Sequence, residues 1–443
     1  MNLPLTLASS QTALQLVQKN FSLLKLGGAF FIIDEMELAS YFQGSIEHDI
    51  SFYNERYGKI LIERFLTNQP VPGIPREVFA QFLSHPNTQV YSEIKFHPKK
   101  QPKHVLNLWV PPTIEPRNAN CNTIIDFIFS VISSKENLNN EYLLNYLAHL
   151  YQKPEEKPGI MVALMSPQGC GKGVMMQILG KIWGRTTLMI NDIEDITGRF
   201  NLCLERKLLI CMDEAMYVND SAGQEKLKNL ITEPTINVEA KHQMPRTVNS
   251  LHRFFLTTNH EHFLKTSKDD RRLFAIPISE SRQNDHAYFN HLLDVIENTQ
   301  ELNGFVYFLK HRDISNFNIR LRPKTQVHAL QIIQSLQRVD RWIYEILNNK
   351  KIGYTNWDSE LYMSLNDLKK AYCEFDSRAQ QYETIQNENI RNSFKKLLPK
   401  AIPHRVADSR GFNMPNINTA RLDFERIVGM KIDWEIMTKD DSE

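Results

Sequence analysis

The apolar run "IMVALM", residues 160–165, passes directly into "SPQGCGKGV", residues 166–174. Six apolar residues in succession predict a short strand buried on both faces, as in a parallel sheet. Gly169 and Gly171 allow the tight turn that follows, and a helix opening near Lys172–Val174 would aim its first backbone amides at an anion. This order of strand, glycine loop, lysine and helix predicts a phosphate cradle. Its members would be Ser166, Pro167, Gln168, Gly169, Cys170, Gly171, Lys172, Gly173 and Val174, with Lys172 reaching the outer phosphates. The match to GxxxxGK[ST] is incomplete, because Ser166 stands at the first glycine and Gly173 at the hydroxyl position. For the loop alone, an ordinary strand-to-helix turn is the plainer alternative.

Three further motifs follow it. In "KLLICMDEA" an apolar run, 208–212, delivers Asp213 and Glu214. Adjacent carboxylates at a strand end suit one to hold Mg²⁺, directly or through water, and the other to activate an attacking water; a core strand running into a capped turn is the plainer alternative. "RFFLTTNH" ends an apolar strand in Thr257, Thr258 and Asn259, whose carboxamide can orient a water or sense a terminal phosphate; as a simple cap the same residues would do nothing chemical. In "SKDDRRLFAIPI", Arg271 and Arg272 precede a last apolar strand. A fixed guanidinium stabilises phosphoryl-transfer charge, and a salt bridge to Asp269 or Asp270 is the alternative.

With 443 residues, 42% of them hydrophobic, the chain has room for two to four domains. Its five cysteines are odd in number and scattered, which argues against a disulfide framework or zinc knuckle and for a reducing, cytoplasmic setting. No apolar stretch reaches eighteen residues, and the first ten lack the pattern of a secretory signal, so no membrane partner is expected. A net charge of +1 requires any nucleic-acid contact to come from a local basic surface.

Composition and periodicity divide the chain into four segments. Residues 1–115 read as mixed α/β, with strands at 29–33 and 105–110 and a helix at 50–66. Residues 116–152 carry two amphipathic helical runs, 123–134 and 141–152, which predict a helical collar. A polar linker opens a nucleotide-binding α/β core at 153–310. Residues 311–443 carry helical patterns at 325–348, 365–377 and 389–398 and then a strand-forming tail.

The order and spacing of "SPQGCGKG", "LLICMDEA", "FFLTTNHEHF" and "DDRRLFAIPI" resemble the superfamily 3 helicases, especially the primase-associated helicases of phages, mobile elements and poxviruses. Upstream, "EIKFHPKKQPKHVLNLWVPP" is similar to the segment that precedes the helicase core in phage primase-polymerases. The resemblance implies an AAA+-type P-loop core of α/β class, a ring that is usually hexameric, and single-stranded or forked DNA threaded through it. It also implies ATP and Mg²⁺ as cofactors and a primase-polymerase as partner, in the same polypeptide or another. Lys172 would bind phosphate, Asp213 would serve Mg²⁺, Glu214 would be the base, Asn259 the sensor, and Arg271 or Arg272 the finger donated to a neighbouring subunit. Arg272 is the better of the two, since it adjoins the strand that should aim it.

Between the second and third motifs, "TINVEAKHQMPRTVN" alternates as a hairpin with Lys241 and His242 at its tip and Arg246 on its return. The family places a DNA-gripping hairpin there, and cationic tips meet phosphates without reading bases. The C-terminal segment could form a winged-helix-like domain with "HRVADSRGFNMPNI" as its wing; Lys395, Lys396, Lys400, His404 and Arg405 make it mildly basic. Because Mg²⁺ keeps several waters, a water in the space left by Gly173 can replace the missing hydroxyl. An active ATPase is expected, against the alternative of a nucleotide-dependent DNA-binding ring that scaffolds a primase or initiator with little or no turnover.

Overall fold

The computed structural model describes residues 5–44, 49–69, 77–214, 221–241, 244–260, 262–376 and 387–434. At the amino-terminal end, helix α1 (Leu5–Asn20) leads into strands β1 (Phe21–Leu26) and β2 (Ala29–Asp34), followed by α2 (Glu35–Gln43), β3 (Tyr53–Asn54), α3 (Glu55–Thr67), α4 (Val78–Ser84) and β4 (Val90–Tyr91). The four strands form one sheet in the order β3-β2-β1-β4. The helix expected from residue 50 starts at Glu55, because Tyr53 and Asn54 pair with β2 and Asn54 then caps the helix through Tyr57 N. The strand expected over 105–110 is short: β5 (Glu93–Lys95) pairs in parallel with β6 (Val105–Asn107). Leu106, Leu108 and Val110 nevertheless stay buried against β1, β2 and α2.

The next two helices, α5 (Asn122–Phe127) and α6 (Asn137–Gln152), are joined by a π-turn at Ile128–Ile132. They do not stand apart. Phe127, Val131, Leu143 and Leu147 share one core with Leu164, Met175, Phe255 and Phe305 from the segment that follows.

That segment is built on five parallel strands: β7 (Met161–Met165), β8 (Thr187–Ile190), β9 (Leu209–Asp213), β12 (Arg253–Thr258) and β13 (Leu273–Pro277), in the order β13-β7-β12-β9-β8. Between β9 and β12 lie α9 (Ser221–Thr232) and a separate antiparallel pair, β10 (Thr235–Val238) and β11 (Arg246–Asn249); between β7 and β9 lie α7 (Lys172–Trp183) and α8 (Glu194–Thr197). β7 is buried along nearly its whole length, as its apolar sequence requires. One face of the sheet packs on α5, α6, α7, α10 (His286–Glu297) and α11 (Gln300–His311), and the other on residues of α8, α9 and the hairpin.

The carboxy-terminal module has its own core, in which Trp342, Trp357, Phe394, Phe412 and Phe424 are buried. The helical pattern over 325–348 is split into α12 (Gln326–Gln334) and α13 (Arg338–Asn349), since Ser335 folds its hydroxyl back onto the Gln331 carbonyl and Gln337 leaves helical geometry. A short hairpin, β14 (Lys351–Ile352) and β15 (Thr355–Asn356), precedes β16 (Leu361–Ser364), α14 (Leu365–Phe375), α15 (Asn387–Leu397), β17 (Ile402–Val406), β18 (Ser409–Met414) and α16 (Ile417–Val428). β16, β18 and β17 make a three-stranded antiparallel sheet, in which β17 and β18 form a hairpin that contains most of the stretch read from the sequence as a wing. Among the described residues no helix is long and apolar enough to cross a membrane.

Candidate nucleotide site

Parallel strands put their carboxyl ends on one edge, and the register of this sheet aligns them closely. Thr257 of β12 lies opposite Asp213 of β9, and Thr258 lies opposite Met165 of β7. The loop after β7, the carboxylates at the end of β9 and Asn259 after β12 therefore come to the crevice outside the strand ends, where open α/β sheets bind ligands.

The loop has the backbone that its glycines permit. Gly169 and Gly171 have φ of +79° and +95°. A side chain at Gly169 would strike Asn284, and one at Gly171 would come within 2.6 Å of Phe289. The segment after β13 holds the loop from outside: Gln283 donates to the Gln168 carbonyl (3.1 Å) and Asn284 N to the Gly169 carbonyl (3.1 Å). Lys172, at the start of α7, is 8% exposed. Its ammonium donates to the carbonyls of Ser166 and Pro167, the latter at 3.0 Å. Burial pushes its pKa down, against the pull of Cys170, Glu214 and Asp213. A triphosphate would replace those carbonyl dipoles with full charges and hold the lysine protonated.

Thr257, which the sequence offered only as part of a cap, organises the two carboxylates. It is fully buried, donates to Asp213 and accepts from the Glu214 amide at 3.4 Å. A polar residue in an apolar strand was the available signal. Glu214 has φ +50°, a left-handed conformation that costs a non-glycine residue about 1 kcal/mol or more and that gathers at functional sites. Gln168 of the loop reaches its Oε1 at 3.4 Å. Both carboxylates and Asn259 are exposed to solvent. Among the described residues no three acidic, histidine or cysteine side chains converge as a metal cage. The donor set therefore fits a cation bound through one or two carboxylates and completed by phosphate oxygens and water, as Mg²⁺ prefers.

Arg271 and Arg272 are not part of this cluster. They precede β13, whose Leu273 lies opposite Met161, the first residue of β7. Five residues at about 3.3 Å each put them roughly 16 Å away, on the opposite edge of the sheet. Asp270 accepts from the Arg272 amide (3.0 Å) and lies 3.6 Å from its guanidinium, so the salt bridge weighed from the sequence forms at this position; Arg271 is exposed. On the hairpin, Lys241 is exposed near the tip and His242 lies outside the described residues. Arg246 is bound by Glu205 through two contacts, at 2.5 and 3.2 Å, which ties it to its own chain.

Beneath the hairpin Lys157 donates to Leu230 O, Glu233 O and Ser250 Oγ, while Ser250 and Leu204 O engage the two ring nitrogens of His252. Burial pushes His252 down to about 4, and burial also lowers His328 to about 4. A histidine held neutral in the fold takes up a proton on unfolding, so its contribution is present above about pH 6.5 and is lost as pH falls toward 4. Full protonation at His252 would cost on the order of 3 kcal/mol. Thermal melts are expected to drop between pH 7 and 5, with His252→Gln dropping less than the parent; identical slopes would remove His252 as the cause.

These features define a class: a mixed α/β protein with a glycine loop and paired carboxylates at one edge of a parallel sheet. A model of a family of unknown function, DUF5906, matches residues 164–272, which span the loop, both carboxylates, the hairpin and the two arginines. Over 138 residues the chain is 28% identical to the DNA primase-polymerase of Nitratiruptor phage NrS-1; the stretch is 30% of this chain and 19% of that protein, about a fifth of its length. The apo C-terminal region (305–718) of NrS-1 superimposes with a TM-score of 0.61 at 13% identity, covering 92% of this chain and 99% of that one. A second form of the same region gives 0.59 over 92% and 100%. The chain thus has the fold of that region, and is similar in sequence to part of a phage primase-polymerase.

Proposed function

We propose that the chain is an ATP-driven, ring-forming DNA helicase or translocase of DNA replication, with an AAA+-type core, acting with a primase-polymerase. The observation that supports this most is the meeting of Lys172, Asp213, Glu214 and Asn259 at one sheet edge, from three strands remote in sequence. Lys172 and the loop amides would hold the phosphates of ATP, and Asp213 the Mg²⁺, which supplies charge neutralisation when bound. Glu214 takes the proton of the attacking water, which Asn259 orients. Buried Thr257 keeps the carboxylates in place. An arginine from the far edge of a neighbouring subunit would complete each site, so turnover belongs to a ring.

The similarity to a primase-polymerase supports the replication setting. The carboxy-terminal helices and three-stranded sheet are read as a winged-helix-like module. The test is steady-state ATP hydrolysis with and without single-stranded DNA, together with the oligomeric mass in a non-hydrolysable analogue. Stimulated turnover and a mass near six chains are expected. Gly173 favours the second reading, a nucleotide-dependent DNA-binding ring; assembly and DNA binding without turnover would establish that reading instead.

The hairpin is assigned to the translocating strand. Lys241→Ala with His242→Ala is expected to weaken single-stranded DNA binding equally across sequences and to lower the slope of log affinity against log salt by about 1 per lost phosphate contact. ATPase without DNA should persist. Unchanged affinity and unwinding would return the hairpin to a surface role.

A further inference from the structure

One segment of the carboxy-terminal module concentrates positive charge. Between residues 387 and 410 there are six lysines and arginines against two acidic side chains, +4 in a chain whose total is +1. The remainder of the molecule is therefore net negative. The charge surrounds a hollow of about 210 Å³ between α15 and the β17–β18 hairpin, lined by Arg391, His404, Arg405 and Arg410 over a floor containing Leu365 and Phe412.

Local structure does not explain this grouping. Arg405 and Arg410 lie directly opposite one another across β17 and β18, and like charges in such a pair destabilise a hairpin. Asp408 offsets only Arg405, at 3.3 Å, and is itself fully exposed. Neither guanidinium, of Arg391 or of Arg410, has a side-chain hydrogen bond or ion pair to another described residue. Lys396 is engaged by buried Asp340 at 2.7 Å, whereas Lys395 lies one helical turn beyond Arg391 on the same face of α15. The positive surface continues past the hollow.

We propose that this face binds the phosphate backbone of duplex DNA, as a second nucleic-acid site apart from the β10–β11 hairpin. The hollow is smaller than the roughly 300–1,000 Å³ of sites that enclose nucleotide-sized ligands, and suits one phosphate group. Arginine forks match phosphate oxygens, and the charge beyond the hollow asks for a ligand whose phosphates repeat. A single strand is disfavoured, because unpaired bases need several exposed rings to stack on, whereas Phe412 and Phe394 are both buried and His404 is the one exposed ring in the lining. Without base-edge readers the site should be indifferent to sequence.

The test uses the full chain with Arg391→Gln and Arg410→Gln together, and measures binding to a short blunt duplex and to a single strand of equal length over a range of salt. Duplex affinity should fall about tenfold or more and its salt slope by about 2, while single-strand affinity and ATPase stay at the parental level. The melting temperature should not fall, since removing Arg410 relieves its opposition to Arg405. Parental duplex affinity in the folded variant would overturn the proposal. So would an equal loss for single strand and duplex, which would assign these arginines to the translocating strand. Displacement of the duplex by polyglutamate at matched charge would make the face a site for an acidic protein segment and overturn it as well.

Discussion

Alanine at both Arg271 and Arg272 is expected to reduce ATP hydrolysis by about a thousandfold or more while leaving ATP binding intact, since an arginine finger acts on transition-state charge. The reason for expecting a ring lies in the sheet. Both arginines precede β13, at the edge opposite the loop, so that a nucleotide held by the loop would lie beyond the reach of the arginines of the same chain. Of the single variants, Arg272→Ala should cost more, because β13 and the Asp270 contact hold its guanidinium in one direction. Mixing the arginine variant with Lys172→Ala should restore part of the hydrolysis, because a mixed interface can join an intact loop to an intact finger. Steady-state ATPase of each parent and of premixed, reassembled pairs checks this. Normal turnover in the double arginine variant would sink the finger and the main argument for a ring.

Lys172→Ala should abolish hydrolysis, a loss of about a thousandfold or more, since it removes the buried ammonium held against the Ser166–Pro167 turn of the loop, the cation expected to neutralise the developing phosphate charge. Gly173→Ser should act in the opposite sense. A side chain at Gly173 meets nothing within 4 Å, and the residue sits in regular helical geometry in the first turn of α7. Serine there is expected to fold normally, to keep or raise turnover, and to lower the Mg²⁺ concentration needed for half-maximal rate. Gly169→Ala and Gly171→Ala serve as contrasts, since both positions have positive φ and no room. If Lys172→Ala and Gly173→Ser both leave ATPase unchanged, the loop is not the nucleotide site.

Much of the strand pattern was legible in the sequence because buried parallel strands read as uninterrupted apolar runs. "IMVALM", "LLICM" and "LFAIP" each became a strand within a residue or two of the expected bounds. Helix ends were less legible, since capping depends on single side chains: Asn54 delays one helix, and the Ser335 hydroxyl helps divide another. The helices α5 and α6 are recognisable as amphipathic, but nothing in their periodicity says which surface takes the apolar stripe. Only the fold merges Phe127 and Leu147 with the core beneath the loop.

For the site, the sequence by itself determined the chemical inventory: a glycine loop with Lys172, a strand ending in Asp213 and Glu214, another ending in Asn259, and two arginines before the last strand. These are local patterns, set by which residues can occupy a tight turn or a buried strand end. Tertiary structure alone decided which of them meet. Parallel pairing brings Thr257 beside Asp213 and sets Gln283, Asn284 and Phe289 against the loop, though more than a hundred residues separate Gln168 from Gln283. It also ties Arg246 to Glu205 and carries Arg271 and Arg272 to the far edge, because a strand's two ends lie on opposite sides of its sheet however short it is.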